Sequence, residues 1–168
     1  LNGPVRVDSL ILIQKNLDSG WPHPKDLEVL NHFPAFVAAK SKHSPSLRVY
    51  ASRQGFKRSP ENESQIEKLF EEFGFEVFQL EKLNLFEEIN LLSTTSVLAG
   101  FHGSAQSNVV WMPSGGNLFD IVNENYWTEA GHRLAFLKNC SYDFQVYKGS
   151  MNEVVSMSEI EDYLTKNY

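Results

Sequence analysis

His102 stands in the run Gly100-Phe101-His102-Gly103, followed by Ser104, Gln106, Ser107 and Asn108 and then by Val109, Val110, Trp111 and Met112. An imidazole can give or take a proton near neutral pH, and a glycine on each side of Phe101–His102 lets the backbone come close to a ligand. The apolar residues before this loop and the mixed ones after it read as strand, tight loop and short helix. Unpaired N–H groups at that helix start would face the loop and favour an anion. Arg53, Lys57 and Arg58 make the one dense basic cluster of an acidic chain and suit the same anion. Asp120 interrupts the apolar run Leu118–Val122, where an unpaired buried carboxylate is costly and an acid near a strand end commonly faces a site. Each residue also has a plain structural use. His102 can bond backbone at a turn, the arginines can be solvated, Asn62-Glu63 can serve a helix start, and Asn108 can pin the loop.

Positioning those groups requires alternating strands and helices. Val5–Ile13 reads as a buried strand, and Leu27, Leu30 and Val37 fall at helical spacing with Pro34 as a break. Arg48–Ser52 is a β-prone run. Ser59-Pro60-Glu61-Asn62-Glu63 carries a cap, a first-turn proline and acids, predicting a helix with Ile66, Leu69, Phe70 and Phe73 inward and Gly74 at its end. Phe75–Leu80 is the next strand. Asn84 with Glu87 predicts a capping box, opening a helix with Leu85, Ile89 and Leu92 inward. Val97–Phe101 and Leu118–Val122 are strands; Trp127, Ala130, Leu134 and Leu137 define a helix; Ser141–Tyr147 alternates into a late strand. Ser156 and Glu159 predict a second capping box before a helix carrying Ile160, Tyr163 and Leu164. The connections are too long for hairpins. The expected fold is therefore α/β, a Rossmann-like, mostly parallel sheet with helices on both faces, with ligands outside the carboxyl ends of the strands.

The chain has 168 residues, room for one domain with a substantial core, and its apolar runs are too short to span a bilayer. A net charge of −6 argues against nucleic acid as a partner. Cys140 is alone, which excludes an internal disulfide and a cysteine-based zinc site, and the five histidines lack metal-ligand spacing. No P-loop or Gly-x-Gly-x-x-Gly is present, which counts against an NTPase or a dinucleotide oxidoreductase. The start at Leu1 without Met suggests a segment of a longer chain.

The loop from Arg53 to Glu63, the runs Phe73–Val77 and Leu80–Leu83, and Gly100–Gly103 with Asn108 and Met112-Pro113, in this order, resemble glycosyltransferase family 61. That family includes protein O-GlcNAc transferases, plant xylosyl- and arabinosyltransferases and bacterial proteins linked to capsular polysaccharide. The similarity covers about Arg48 to Tyr147. It implies one lobe, the C-terminal one, of a two-lobed B-type transferase that is metal-independent, uses a nucleotide-diphosphate sugar as donor substrate and no separate cofactor, and transfers the sugar to a glycan acceptor. The whole of residues 1–168 would be that donor-binding lobe, with an N-terminal lobe of the same protein as partner.

Residue by residue, Arg53 and Arg58 match the family's arginines before an Asn-Glu pair, here Asn62-Glu63. His102, Gly103 and Asn108 match its His-Gly loop, with Ser104 beside them, and Asp120 falls where the family usually has Glu. The family's loop usually reads Gly-Pro-His-Gly-Ala-Gly-Leu-Thr-Asn, so Phe101, Ser104, Ala105, Gln106 and Ser107 are departures. Losing the second loop glycine at Ala105 narrows the space for a phosphate. On this reading the diphosphate leaving group is stabilised by arginine, helix-end N–H groups and the His102 imidazole, the catalytic candidate, while Asp120 or Glu124 accepts from the ribose. The resemblance implies a cytoplasmic protein lying against the membrane in a bacterium, and a Golgi or ER lumen protein in a eukaryote. The rival expectation is a binding or scaffolding module that keeps the fold without catalysis. A third is a nucleotide-dependent enzyme of another α/β family.

Overall fold

The computed structural model describes residues 46–168 together with Lys25, Glu28, Leu30, Asn31 and His32. The strand expected over Val5–Ile13 and most of the helix expected around Leu27–Val37 lie outside the described residues.

Five strands form one parallel sheet: β1 (Leu47–Ala51), β2 (Glu76–Phe78), β3 (Thr95–Phe101), β4 (Asn117–Asn123) and β5 (Ser141–Tyr147), in spatial order β2-β1-β3-β4-β5. The α/β, Rossmann-like expectation holds. β3 and β4 are buried along nearly their whole length because both their faces are covered, which is why their sequences are apolar runs rather than alternations. β5 lies at an edge and alternates, its residues Tyr142, Phe144 and Val146 pointing to one face.

Helices α1 (Glu63–Glu72) and α4 (Ser158–Asn167) cover one face, packing Ile66, Leu69, Phe70, Ile160 and Leu164 on Tyr50, Ala99, Phe101, Phe119 and Ile121. Helices α2 (Leu85–Leu92) and α3 (Ala130–Leu137) and the 3-10 segment Ser104–Trp111 cover the other, over Val49, Leu98 and Leu118.

Local chemistry sets most of the boundaries. α1 ends as a Schellman motif: Gly74 has φ +76°, its N–H reaches the Glu71 carbonyl at 2.9 Å, and the Phe75 N–H reaches the Phe70 carbonyl at 3.0 Å. At α2 the Asn84 side chain accepts from the Phe86 and Glu87 N–H groups while Glu87 accepts from the Asn84 N–H, so the expected capping box is present. Four expectations are corrected. α3 starts at Ala130, so Trp127 precedes that helix rather than lying on it. α1 begins at Glu63 rather than at Ser59-Pro60, because residues 59–62 turn first and the Asn62 side chain is occupied elsewhere. α4 has Met157 at its N-cap with no side-chain cap, since Ser156 bonds the Ser158 hydroxyl instead. Leu85, at the first turn of α2, is exposed rather than inward.

This strand order puts a topological switch point between β1 and β3. The chain leaves β1 towards β2 and returns to β3 on the other side of β1, the place in the strand order where ligands of such sheets commonly bind. Arg53 follows β1 and His102 follows β3.

Candidate functional site

The loop after β1 is fastened to the loop after β3 by one guanidinium. Arg53 is buried, and its Nη2 donates to the His102 carbonyl at 2.8 Å. A Cβ on Gly103 would lie 1.8 Å from that Nη2, so the guanidinium occupies the volume a side chain at 103 would need. Glycine is required here by steric occupation, not by a left-handed backbone. Arg53 is held at its other end as well. Its N–H donates to Glu63 Oε1 at 3.1 Å, and the same oxygen accepts from the Tyr50 hydroxyl at 2.8 Å.

Burial, and next the positive charge of Arg58, pull the Arg53 guanidinium below its ordinary value, while Glu63 opposes them. Two like charges are thus held near one space. Arg58 adopts φ 69°, in the left-handed region, and its Cζ lies 5.0 Å from the centre of the Tyr126 ring. Tyr126 in turn stands edge-on to His102 with ring centres 5.8 Å apart. Lys57 and Arg58 line a cavity of about 510 Å³ with Ser150, Met151 and Asn152.

His102 is buried and held at both ring nitrogens. The Thr128 N–H approaches Nε2 at 3.0 Å and must donate to it, so Nε2 carries no proton and Nδ1–H donates to Asp120 Oδ2 at 2.6 Å. The Thr128 hydroxyl also lies 3.1 Å from Nε2. Asp120, fully buried, takes the Tyr142 hydroxyl on Oδ2 at 2.9 Å and Gln106 Nε2 on Oδ1 at 3.3 Å. Gln106 Nε2 further donates to the Gly100 carbonyl at 2.7 Å. Gly100, His102 and Asp120 are therefore one hydrogen-bonded unit spanning β3 and β4.

The structure brings Arg53, Arg58, Glu63, His102, Gly103 and Asp120 to this carboxyl edge. It gives several of them different work from that expected. Asp120 cannot meet a ribose hydroxyl, because it is wholly buried and both its oxygens already accept from the protein. The Asn62 amide is likewise spent: it donates to the Val155 carbonyl at 2.8 Å and accepts the Val155 N–H at 2.9 Å, tying α1 to the segment before α4. Glu63 Oε1 serves Tyr50 and Arg53, while Oε2 is buried with no hydrogen-bond partner among the described residues. Ser104 and Asn108 line a different, smaller pocket of about 200 Å³ with Glu81 and Glu88, where Asn108 donates to Glu88. Glu124 is exposed and accepts the Gly149 N–H at 3.2 Å.

Tyr126, Thr128, Gln106 and Tyr142 were not among the expected site residues. Gln106 stood in the His102 loop and Tyr142 on an alternating strand, whereas nothing marked Tyr126 or Thr128. Among the described residues no three His, Cys, Asp or Glu side chains gather to hold a metal ion. No helix among them is long and apolar enough to cross a membrane.

A model of the family described as Glycosyltransferase 61 matches residues 4–119, more than half of the chain and the part that carries Arg53, Arg58, His102 and Gly103. No curated protein matches the chain. The Arg53–His102 fastening and the His102–Asp120 unit thus sit within or directly against the matched region, and the chain belongs to glycosyltransferase family 61.

Proposed function

We propose that this chain is the donor-binding lobe of a metal-independent glycosyltransferase that takes a nucleotide-diphosphate sugar and passes the sugar to a glycan or polysaccharide acceptor. Membership of the family makes glycosyl transfer the reaction class. The donor, the acceptor, the second lobe and the use of cationic side chains in place of a metal belong to this proposal. The observation that carries it is the pair of guanidinium groups gathered at the switch point, one locked against His102 and the other poised over Tyr126 beside an open cavity. A diphosphate placed there would relieve their mutual repulsion. As the bond to the sugar breaks, the charge growing on the leaving phosphate would meet cations that need no rearrangement.

In this reading Arg58 and Lys57 contact the phosphates. Arg53 and His102 hold the two loops at the right separation. The transferring step needs a base for the acceptor hydroxyl, and the reading assigns it to the partner lobe.

The second reading, a module that keeps the fold without catalysis, is favoured by one observation: both nitrogens of His102 are already engaged within the protein. Calorimetric titration with UDP, GDP and their sugars separates the two. The first reading expects saturable binding of at least one nucleotide, weakened at least about tenfold by Arg58→Ala with little change in melting temperature, as for the loss of one charge-assisted contact. Absence of binding by every nucleotide would leave the non-catalytic module.

A further inference from the structure

On the face of β5 that α3 leaves uncovered, Trp127, His132, Phe136, Cys140, Tyr142 and Phe144 line a groove of about 580 Å³. Phe136, Phe144 and Trp127 are 76%, 58% and 52% exposed, an aromatic concentration that is costly in water unless something binds it. The Tyr142 and Phe144 rings, two residues apart on the strand, lie nearly parallel at 28° with centres 6.1 Å apart, and His132 stands 5.2 Å from Tyr142. Among the described residues the lining carries no carboxylate, ammonium or guanidinium group; its polar side-chain atoms are those of histidine, tyrosine, tryptophan and cysteine.

The groove is also joined to the site. The Tyr142 hydroxyl donates to Asp120, and Asp120 holds His102, while Thr128, next in sequence to Trp127, holds the other side of the imidazole.

We infer that this groove is a carbohydrate subsite that takes an uncharged stretch of the glycan acceptor, stacking pyranose rings on Tyr142, Phe144 and Trp127. The inference rests on the transfer reading above and deepens it. A sugar ring offers C–H groups on its faces and hydroxyls at its rim, which matches flat aromatic faces bordered by a few polar atoms. An acidic polymer would find no lysine or arginine among the described residues of the lining. A chain lying in the groove would be connected through Tyr142 to the hydrogen-bonded unit that fixes His102.

The test uses the whole chain and a panel of neutral oligosaccharides (xylo-, cello-, malto- and chito-oligosaccharides) with an acidic one, oligogalacturonate, for contrast. Binding is read by calorimetry and by tryptophan fluorescence, with Trp127→Phe identifying the responding indole. Phe144→Ala and Phe136→Ala remove exposed rings and so do not threaten the core. The expected result is saturable binding of at least one neutral member, weakened about fivefold or more by Phe144→Ala. No binding across the panel, binding unchanged in both variants, preference for the acidic member, or a concentration-dependent dimer abolished by Phe136→Ala in place of sugar binding would each overturn it. UDP and GDP titrations of the unaltered chain run in parallel keep the two proposals apart. Nucleotide binding without oligosaccharide binding removes the groove assignment alone, and the reverse removes the donor reading alone.

Discussion

At the scale of single residues, His102 is buried and bonded at both ring nitrogens. Its Nδ1–H goes to Asp120 and its Nε2 to the Thr128 N–H, so removing the ring leaves a buried carboxylate short of a donor and a backbone N–H without an acceptor. His102→Ala is expected to lower stability by about 2–4 kcal/mol and to weaken nucleotide binding with it, because the loop that carries Gly103 and the Arg53 acceptor loosens. Thermal unfolding and calorimetry on the same preparation check this. Loss of affinity at unchanged melting temperature would instead make the imidazole a direct ligand. Arg58, whose side chain lies against Tyr126 and takes no part in the His102–Asp120 unit, is expected to show that opposite behaviour. These roles were half legible in the residue types. Histidine between glycines, paired arginines and an acid in an apolar strand are residues that the fold brings to one edge of the sheet. Burial then decided that Asp120 and Asn62 hold protein rather than ligand, and burial is not a property of a residue type.

At the scale of elements, the site depends on two loops meeting, and Gly103 is where they meet. Gly103→Ala should expel the Arg53 guanidinium, since a Cβ at 103 would stand 1.8 Å from Nη2. Losing that buried charge-assisted bond is expected to cost about 2–3 kcal/mol. In an Arg53→Met background most of that penalty should vanish, because the atom in the way is gone; urea unfolding of the four variants in the cycle measures the coupling. Equal costs in both backgrounds would show that the backbone itself resists a side chain there. The elements were largely readable from periodicity and caps: the Asn84 box, the Gly74 stop and strands β1, β3, β4 and β5 all lie where apolar runs and punctuation put them. Of the three misplaced helix starts, two share one reason, whereas Trp127 had the spacing of the helix that begins at Ala130 without being part of it. Ser59-Pro60 and Ser156–Glu159 have the composition of caps, but in each case the local side chains bond to other partners, and a cap sequence does not state which partner wins.

At the scale of the whole molecule, the sheet order sets the loop after β1 beside the loop after β3, and α1 brings a buried acid, Glu63, against the first of them. Burial, the largest influence, raises the Glu63 carboxyl above the ordinary glutamate range, against the bonds from the Arg53 N–H and the Tyr50 hydroxyl. The folded chain then holds this proton more tightly than the unfolded chain. Stability from this group is therefore full below the unfolded value and falls as pH rises through the raised folded one. Glu63→Gln keeps an acceptor for Tyr50 and Arg53 and cannot ionise, so its melting temperature relative to the parent should improve as pH goes from about 4 to about 7. A difference that stays flat over that range would mean that Arg53 neutralises the acid fully.

The sequence by itself determined the layering and the chemistry on offer. Hydrophobic period and turn residues act over a few positions along the chain, and they sufficed for an α/β fold, for a basic loop after one strand and for a histidine loop after another. The tertiary structure decided which of those groups face solvent. Arg53 and Gly103 share one volume across 50 residues of chain, Tyr142 reaches Asp120 from the neighbouring strand, and an uncovered edge gathers Trp127, Phe136 and Phe144 into a groove. Such contacts are fixed by strand order and register, which bring together residues whose separation in sequence carries no trace of their distance in space.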